Sequence, residues 1–319
     1  MPRRQRARPS VALDDGRNVS PSPHPCAIAR SGWPHVRCDD LTVPEEGEEG
    51  TADGAGPRTF HHGEFPTAKA LEAKGPRTVS VCIPARDEGS TVGSVVRAVV
   101  QPFLASAGGN GLVDEVIVLD DGSTDDTAEQ ATDAGARVVQ GVAAQGGKGQ
   151  AMAAALAASS GDVVVFLDAD VANTTPAFVT GMLGPLLFFD DIALVKGFYT
   201  RPLHGDPTGG GRVTELVARP ALELLFPELS EVRQPLAGET AAHRWVFEKV
   251  GFAGGYGVEL ALLIDVAAHF GPESLAQVDL GERIHRNRPL HELRPQAVDV
   301  LRAALERVPP PTSHADRDV

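Results

Sequence analysis

DEVIVLDDGSTDDT, residues 114–127, decides how this chain is read. Four apolar positions, Val116 to Leu119, run without a polar break and stop at two aspartates and a glycine. A short continuous apolar run between turn signals reads as a strand buried on both faces. Working upstream, TVSVCI (78–83) has the same character and runs into PARDEG, with a helical stretch expected near 90–101. Downstream come ARVVQ (136–140), then GGKG (146–149) opening an Ala-rich helix to about residue 159, then DVVVFLD (162–168). Apolar strands alternating with helices are the pattern of a mostly parallel sheet covered by helices on both faces, an α/β class.

Beyond residue 170 the alternation loosens. Helices are expected near 176–187 and 213–226, a helical period covers 255–270, and a last helix runs from about 291 to 307. Strands are expected at 192–199 and 275–281. The composition divides the chain into an N-terminal extension, residues 1–75, a domain over 76–306, and a tail, 307–319. The extension is rich in Pro, Gly, Arg and Glu and is expected to be largely disordered, because such a segment buries too little apolar surface to offset its ordering entropy. Part of 58–74 is left open as an arm that packs on the domain. Within the domain, 76–170 reads as a ligand-binding half and 171–306 as an elaborated second half.

Asp plus Glu is 43 against 29 Lys plus Arg, a formal charge of −14. That excess argues against a general nucleic-acid binder, since a phosphate backbone needs a positive face. Three cysteines without metal-type spacing, no secretory leader pattern and no apolar run of membrane length make a cytoplasmic protein with no membrane element the expectation.

Four polar motifs follow four strand ends, the place where open α/β sheets bind ligands. They are Pro84-Ala85-Arg86-Asp87-Glu88, then Asp120-Asp121-Gly122-Ser123, then Lys148 in its glycine-rich loop, then Asp168-Ala169-Asp170. Carboxylates at i and i+2 of an extended segment project to the same side. Their hard oxygens suit Mg²⁺ or Mn²⁺, and Mg²⁺ is commonly completed by substrate phosphates. The pair therefore points to a metal–diphosphate ligand, with Asp170 as metal ligand, Asp168 facing a hydroxyl, and Lys148 adding positive charge nearby. GGGRVT (209–214) places Arg212 and Thr214 at an expected helix start, a geometry that receives anions on Gly211, Arg212, Val213 and Thr214. Glu259 sits early in the 255–270 helix, three residues after Tyr256.

The order PARDEG…LDDGSTDDT…GKG…FLDAD resembles the nucleotide-binding half of GT-A glycosyltransferases. LVKGFYTRPL (194–203), GGGRVTELVARP (209–220), QPLAGE (234–239), GYGVELALLID (255–265) and AQVDLGERIHRNRPL (276–290) narrow the likeness to actinobacterial glucosyl-3-phosphoglycerate synthases. That resemblance, over about residues 76–306, implies a GT-A fold and metal-dependent, retaining transfer of glucose from UDP-glucose to the 2-hydroxyl of 3-phosphoglycerate. It implies donor contacts at Pro84, Ala85, Arg86, Glu88, Asp121, Lys148, Asp168, Ala169, Tyr256 and Glu259. It places acceptor contacts at Gly211 to Thr214 and Asn287, and the metal, Mg²⁺ or Mn²⁺, on Asp170 and His285. Asp170, Glu259 and Lys148 carry the catalytic role, and a homodimer is implied. Arg86 and Asp121 stand where some relatives have Leu and Ser, which bears on the base of the donor. The competing readings are a hexosyl, for example mannosyl, transferase using a GDP-sugar, a polyprenyl-phosphate glycosyltransferase, and a non-catalytic nucleotide-sugar-binding module.

Overall fold

The computed structural model describes residues 56–104, 111–141, 147–201, 211–284 and 290–308. Each strand expected from the sequence is present: β2 (Val79–Ala85), β3 (Glu115–Asp120), β4 (Arg137–Gln140), β5 (Val163–Phe166), β6 (Leu194–Thr200) and β8 (Leu275–Glu282). Two more join them, β1 (Arg58–His61) and β7 (Thr240–His243). The sheet order is β1-β8-β6-β7-β5-β2-β3-β4. Every pairing is parallel except those of β7, which runs against β5 and β6. β7 escapes the sequence reading because TAAH is four residues long and too small-sided to show a period. The helix that follows it at once, α7 (Arg244–Val250), escapes for the same brevity.

The apolar runs are continuous because both faces of the sheet are covered. Val81 and Ile83 of β2, Val116 and Val118 of β3, and Val163 and Val165 of β5 enter one core. That face is capped by α1 (Thr67–Lys74), α2 (Val92–Phe103) and α5 (Pro176–Phe188). Cys82, Ile117, Leu119, Val164 and Phe166 enter the other core, together with α4 (Lys148–Ala158), α6 (Arg219–Leu225), α7, α8 (Val258–Phe270) and α9 (Arg294–Leu305). The period of two along a strand sends neighbours to opposite faces, so burying both faces demands apolar residues at every step. Towards the β4 edge, α3 (Thr127–Asp133) completes the covering. Ahead of α6, residues 214–218 form a π turn continuous with it. Pro220 explains this placement, since it has no N–H to give the preceding turn an ordinary helical bond.

The division at residue 76 falls inside the fold. β1 lies parallel to β8 with Phe60 opposite Val278, and Arg58 Nη2 bonds Asp191 Oδ1 at 2.7 Å. Phe65 is 6% exposed and Ala70 of α1 is fully buried. The ring of Phe65 lies on Gly184 of α5 so closely that a Cβ there would sit 2.0 Å from a ring carbon. Residues 58–74 are therefore ordered, β1 in the sheet and α1 packed against α5, which is the arm left open above for part of this segment. The period was hidden because β1 alternates half-buried and exposed residues at a sheet edge. Residues 1–55 and 309–319 lie outside the described residues.

A consequence follows for truncation. Phe65→Ala is expected to cost about 3–5 kcal/mol, the usual range for emptying a buried aromatic site. In a domain of this size that lowers Tm by roughly 10 °C. A chain starting at Gly75 loses β1 and α1 as well and should fall further. Calorimetric melting is the check, and an unchanged Tm in both proteins would contradict the packing.

Candidate active site

The loops after β2 and β3 are laced into one wall. Asp87 adopts a left-handed conformation, φ 54°, which Asp tolerates better than most residues because its short side chain bonds locally. Its Oδ1 accepts from Thr124 N at 2.8 Å, and its own N–H donates to Ser123 Oγ at 3.0 Å. Glu88 N donates to Thr127 Oγ1 at 2.8 Å, and Asp121 N to the Ala85 carbonyl at 2.9 Å. PARDEG and DDGST thus hold each other, and Pro84, Ala85, Arg86, Glu88 and Asp121 face a common cavity.

That cavity, of about 550 Å³, is also lined by Lys148, Asp168, Ala169, Asp170, Tyr256 and Glu259. On its other side stand Arg201, Gly211, Arg212, Val213 and Thr214. These seven separate stretches of sequence meet there, because the parallel strands β2, β3 and β5 end on one side of the sheet and the segment opening the helix at residue 212 lines the same cavity. His285 and Asn287 lie outside the described residues.

Lys148 opens α4, and its Nζ lies 2.7 Å from Asp168 Oδ1 and 2.6 Å from Glu259 Oε1. The lysine is therefore not an open cation waiting for a diphosphate; its charge is held between two carboxylates. Burial alone would lower its pKa, but Asp168 and Glu259 outweigh burial and hold it above the ordinary lysine value. Burial likewise pushes Asp168 up, yet Lys148 and Arg283 prevail and keep it well below the usual carboxylate range.

Arg283, at the end of β8, is the residue the sequence reading passed over. It is 4% exposed. Its Nη2 bonds Asp168 Oδ2 at 2.9 Å and Asp170 Oδ1 at 2.6 Å, and its Nη1 meets the Tyr199 hydroxyl and lies 3.4 Å from Glu239 Oε2. Tyr199 in turn donates to Glu239 Oε2 at 2.8 Å and receives Arg201 Nη2 at 2.9 Å. Burial lifts the Tyr199 hydroxyl to about 12, so it stays protonated as a donor. Beneath them Lys196, 2% exposed, donates to the Ala237 carbonyl and to Thr240 Oγ1, and burial brings it down to about 8. The segment carrying Gly238 then presses on Asp168, where a Cβ would stand 1.9 Å from Oδ1. The Asp168–Asp170 pair is thus fixed by a buried, charge-assisted network.

Residues 80–212 match the model of glycosyl transferase family 2. Glucosyl-3-phosphoglycerate synthase of Mycolicibacterium paratuberculosis is 47% identical over 288 residues, 86% of this chain and 84% of its own length. The enzyme of that name from Mycolicibacterium smegmatis is 51% identical over 252 residues, 76% of this chain and 81% of its own. A crystal structure of glucosyl-3-phosphoglycerate synthase from Mycobacterium tuberculosis with Mn²⁺, UDP-glucose and phosphoglyceric acid superposes with a TM-score of 0.73 at 46% identity, covering 82% of this chain and 90% of that one. The chain belongs to the glucosyl-3-phosphoglycerate synthase family. Its fold is accordingly the GT-A glycosyltransferase fold, with a mostly parallel sheet.

Arg86 and Asp121, the two positions singled out for the base of the donor, meet in space. Arg86 Nη1 lies 3.9 Å from Asp121 Oδ2, an exposed guanidinium against a largely covered carboxylate. Their charges thereby offset one another.

The donor set fits a divalent cation of the kind such synthases bind. Asp170 is 30% exposed, and among the described residues its Oδ2 has no partner once Oδ1 is given to Arg283. One open carboxylate oxygen suits Mg²⁺ or Mn²⁺, which keep waters and take the rest of their shell from phosphate oxygens. Among the described residues no three His, Cys, Asp or Glu side chains form a self-sufficient metal cage. Among them, too, no helix is long and apolar enough to cross a membrane.

Proposed function

We propose that this chain transfers glucose from UDP-glucose to the 2-hydroxyl of 3-phosphoglycerate with retention of configuration, releasing UDP. The observation that carries the reading is one cavity joining the Asp168–Asp170 pair to the Arg212–Thr214 helix start. It combines a site for a metal–diphosphate with a site for a phosphorylated acceptor. Relatives covering most of the chain are named for this reaction, and a homologous structure holds its product together with UDP and Mn²⁺.

In this reading Pro84, Ala85, Arg86, Glu88 and Asp121 hold the uridine and ribose, and Asp168, Ala169, Tyr256 and Glu259 orient the glucose. Asp170 would hold the divalent cation, with His285 as its expected companion; the bound ion draws charge from the diphosphate leaving group. Gly211, Arg212, Val213 and Thr214, with Asn287, take the acceptor phosphate, the guanidinium supplying bidentate hydrogen bonds. Glu259 is the carboxylate nearest in kind to a nucleophile, but its Oε1 is bonded to Lys148 and the residue is 5% exposed. A buried carboxylate so paired is a poor nucleophile, which favours front-face displacement. The acceptor O2 then bonds the anomeric carbon as the carbon–oxygen bond to the β-phosphate breaks on the same face. The O2 proton passes to the departing phosphate oxygen.

An activity matrix tests the reading. UDP-glucose, GDP-glucose and GDP-mannose are each paired with 3-phosphoglycerate, glycerate and water in Mn²⁺, and products are weighed by mass spectrometry. The expected strongest product is a hexosyl-phosphoglycerate from UDP-glucose. Preferential turnover of a GDP-sugar would favour the mannosyl alternative, and nucleotide-sugar binding with no product would favour the non-catalytic one.

A further inference from the structure

We propose that Arg201 is a second acceptor-binding residue and that it reads the carboxylate of the phosphoglycerate, while the helix start at Arg212 reads the phosphate. This rests on the acceptor assignment above and extends it to a residue outside that segment. Arg201 follows β6 and lines the cavity. Its guanidinium lies over the Tyr199 ring, 4.8 Å from the centroid, and Nη2 donates to the Tyr199 hydroxyl at 2.9 Å. A stacked and hydrogen-bonded guanidinium is held in one orientation, as an anion receptor needs. Its Nε is buried without a hydrogen-bond partner, and among the described residues no carboxylate forms an ion pair with it. The contrast with Arg283 is sharp: that guanidinium is covered by Asp168, Asp170 and Glu239. A cation lining a cavity without a carboxylate partner is suited to an anionic ligand.

The position of Arg201 selects which anion. Its Nη1 lies 3.5 Å from where a Cβ on Gly211 would stand, so it borders the Arg212 helix start. On the other side a single hydroxyl, that of Tyr199, separates it from the Arg283 guanidinium that binds the Asp168–Asp170 pair. Arg201 therefore stands between the phosphate site and the reaction centre. In 3-phosphoglycerate the carboxylate carbon is bonded directly to C2, whose hydroxyl reacts, whereas the phosphorus is three bonds away from C2. With the phosphate at the helix start, the carboxylate is the anion that falls on the Arg201 side.

The experiment uses the full chain and three acceptors: 3-phosphoglycerate, glycerate, and the glycerol phosphate of matching C2 configuration, which keeps the phosphate and replaces the carboxylate by hydroxymethyl. Arg201→Ala is expected to lower the preference for 3-phosphoglycerate over glycerol phosphate by roughly 10- to 100-fold in kcat/KM, the worth of a charge-assisted hydrogen bond. Its preference for 3-phosphoglycerate over glycerate should persist. Arg212→Ala should do the reverse, and Arg201→Lys should recover part of the carboxylate preference. Titration with UDP-glucose reports whether the donor site is intact, and Arg201→Gln serves as the variant nearest in shape should the alanine protein fold poorly. A purely structural role, acting through Tyr199, would depress all three acceptors equally. Such uniform loss, or loss of the phosphate preference in place of the carboxylate one, overturns the proposal. Should the unaltered chain form no product from 3-phosphoglycerate, the acceptor reading itself fails, a result separate from any Arg201 effect.

Discussion

Asp170→Ala is expected to lower glucosyl transfer by about a thousandfold or more while leaving the protein folded. The open Oδ2 of Asp170 is the described oxygen available to a divalent cation, and its loss removes charge stabilisation from the leaving diphosphate. Losing one preorganised electrostatic contact of this kind costs on the order of 10²–10³ in kcat, and loss of the ion adds to it. The fold should survive because Arg283 keeps Asp168 and Glu239 as partners. Turnover across a Mn²⁺ titration, paired with a melting curve, is the measurement. Full metal-dependent turnover in the alanine variant would remove Asp170 from the metal site.

Arg283→Leu is expected to destabilise the protein about as strongly as Phe65→Ala. It strips a nearly buried cation from Asp168, Asp170 and Glu239 and leaves Lys148 as the cation bonded to Asp168. Breaking a buried ionic cluster by deleting one partner costs about 3–5 kcal/mol. The effect should depend on pH in a definite direction. Lys148 and Arg283, overcoming burial, hold the folded-state pKa of Asp168 below its unfolded value, which is near 4. Its stabilising contribution is therefore complete above about pH 4 and is lost as pH falls through the lower, folded value. The stability gap between the variant and the unaltered chain should be widest near neutrality and close in strong acid, as the abandoned carboxylates protonate. Denaturant melts at neutral and at acid pH test this, and a gap of equal size at both would contradict it.

The central strands and the site could be read from sequence for one reason. A strand buried on both faces must be apolar throughout, so EVIVLD and VVVF announce themselves and their polar ends mark the cavity. Nine of the residues singled out by that argument line the same cavity, from Pro84 to Asp170. What stayed hidden lacked such a constraint. β1 is an edge strand with alternating exposure, and β7 is four small or polar residues. Arg283 looked like one more basic residue in GERIHRNR, although charge balance hinted at it. Asp168, Asp170 and Glu259 are three carboxylates, and Lys148 supplies one positive charge. A second buried cation was needed, and β8 delivers it. Arg201 was overlooked because its role depends on Tyr199 and Gly211, which a linear reading does not bring together.

The most direct test of the account is the structure of the product itself. The full chain is incubated with Mn²⁺, UDP-glucose and 3-phosphoglycerate, and the isolated product is examined by proton and carbon NMR. The account predicts an α-glucoside on the C2 oxygen of 3-phosphoglycerate, formed in step with UDP. A β-glucoside, a glucosyl group on another oxygen, or UDP released with free glucose as the sole sugar product would contradict it.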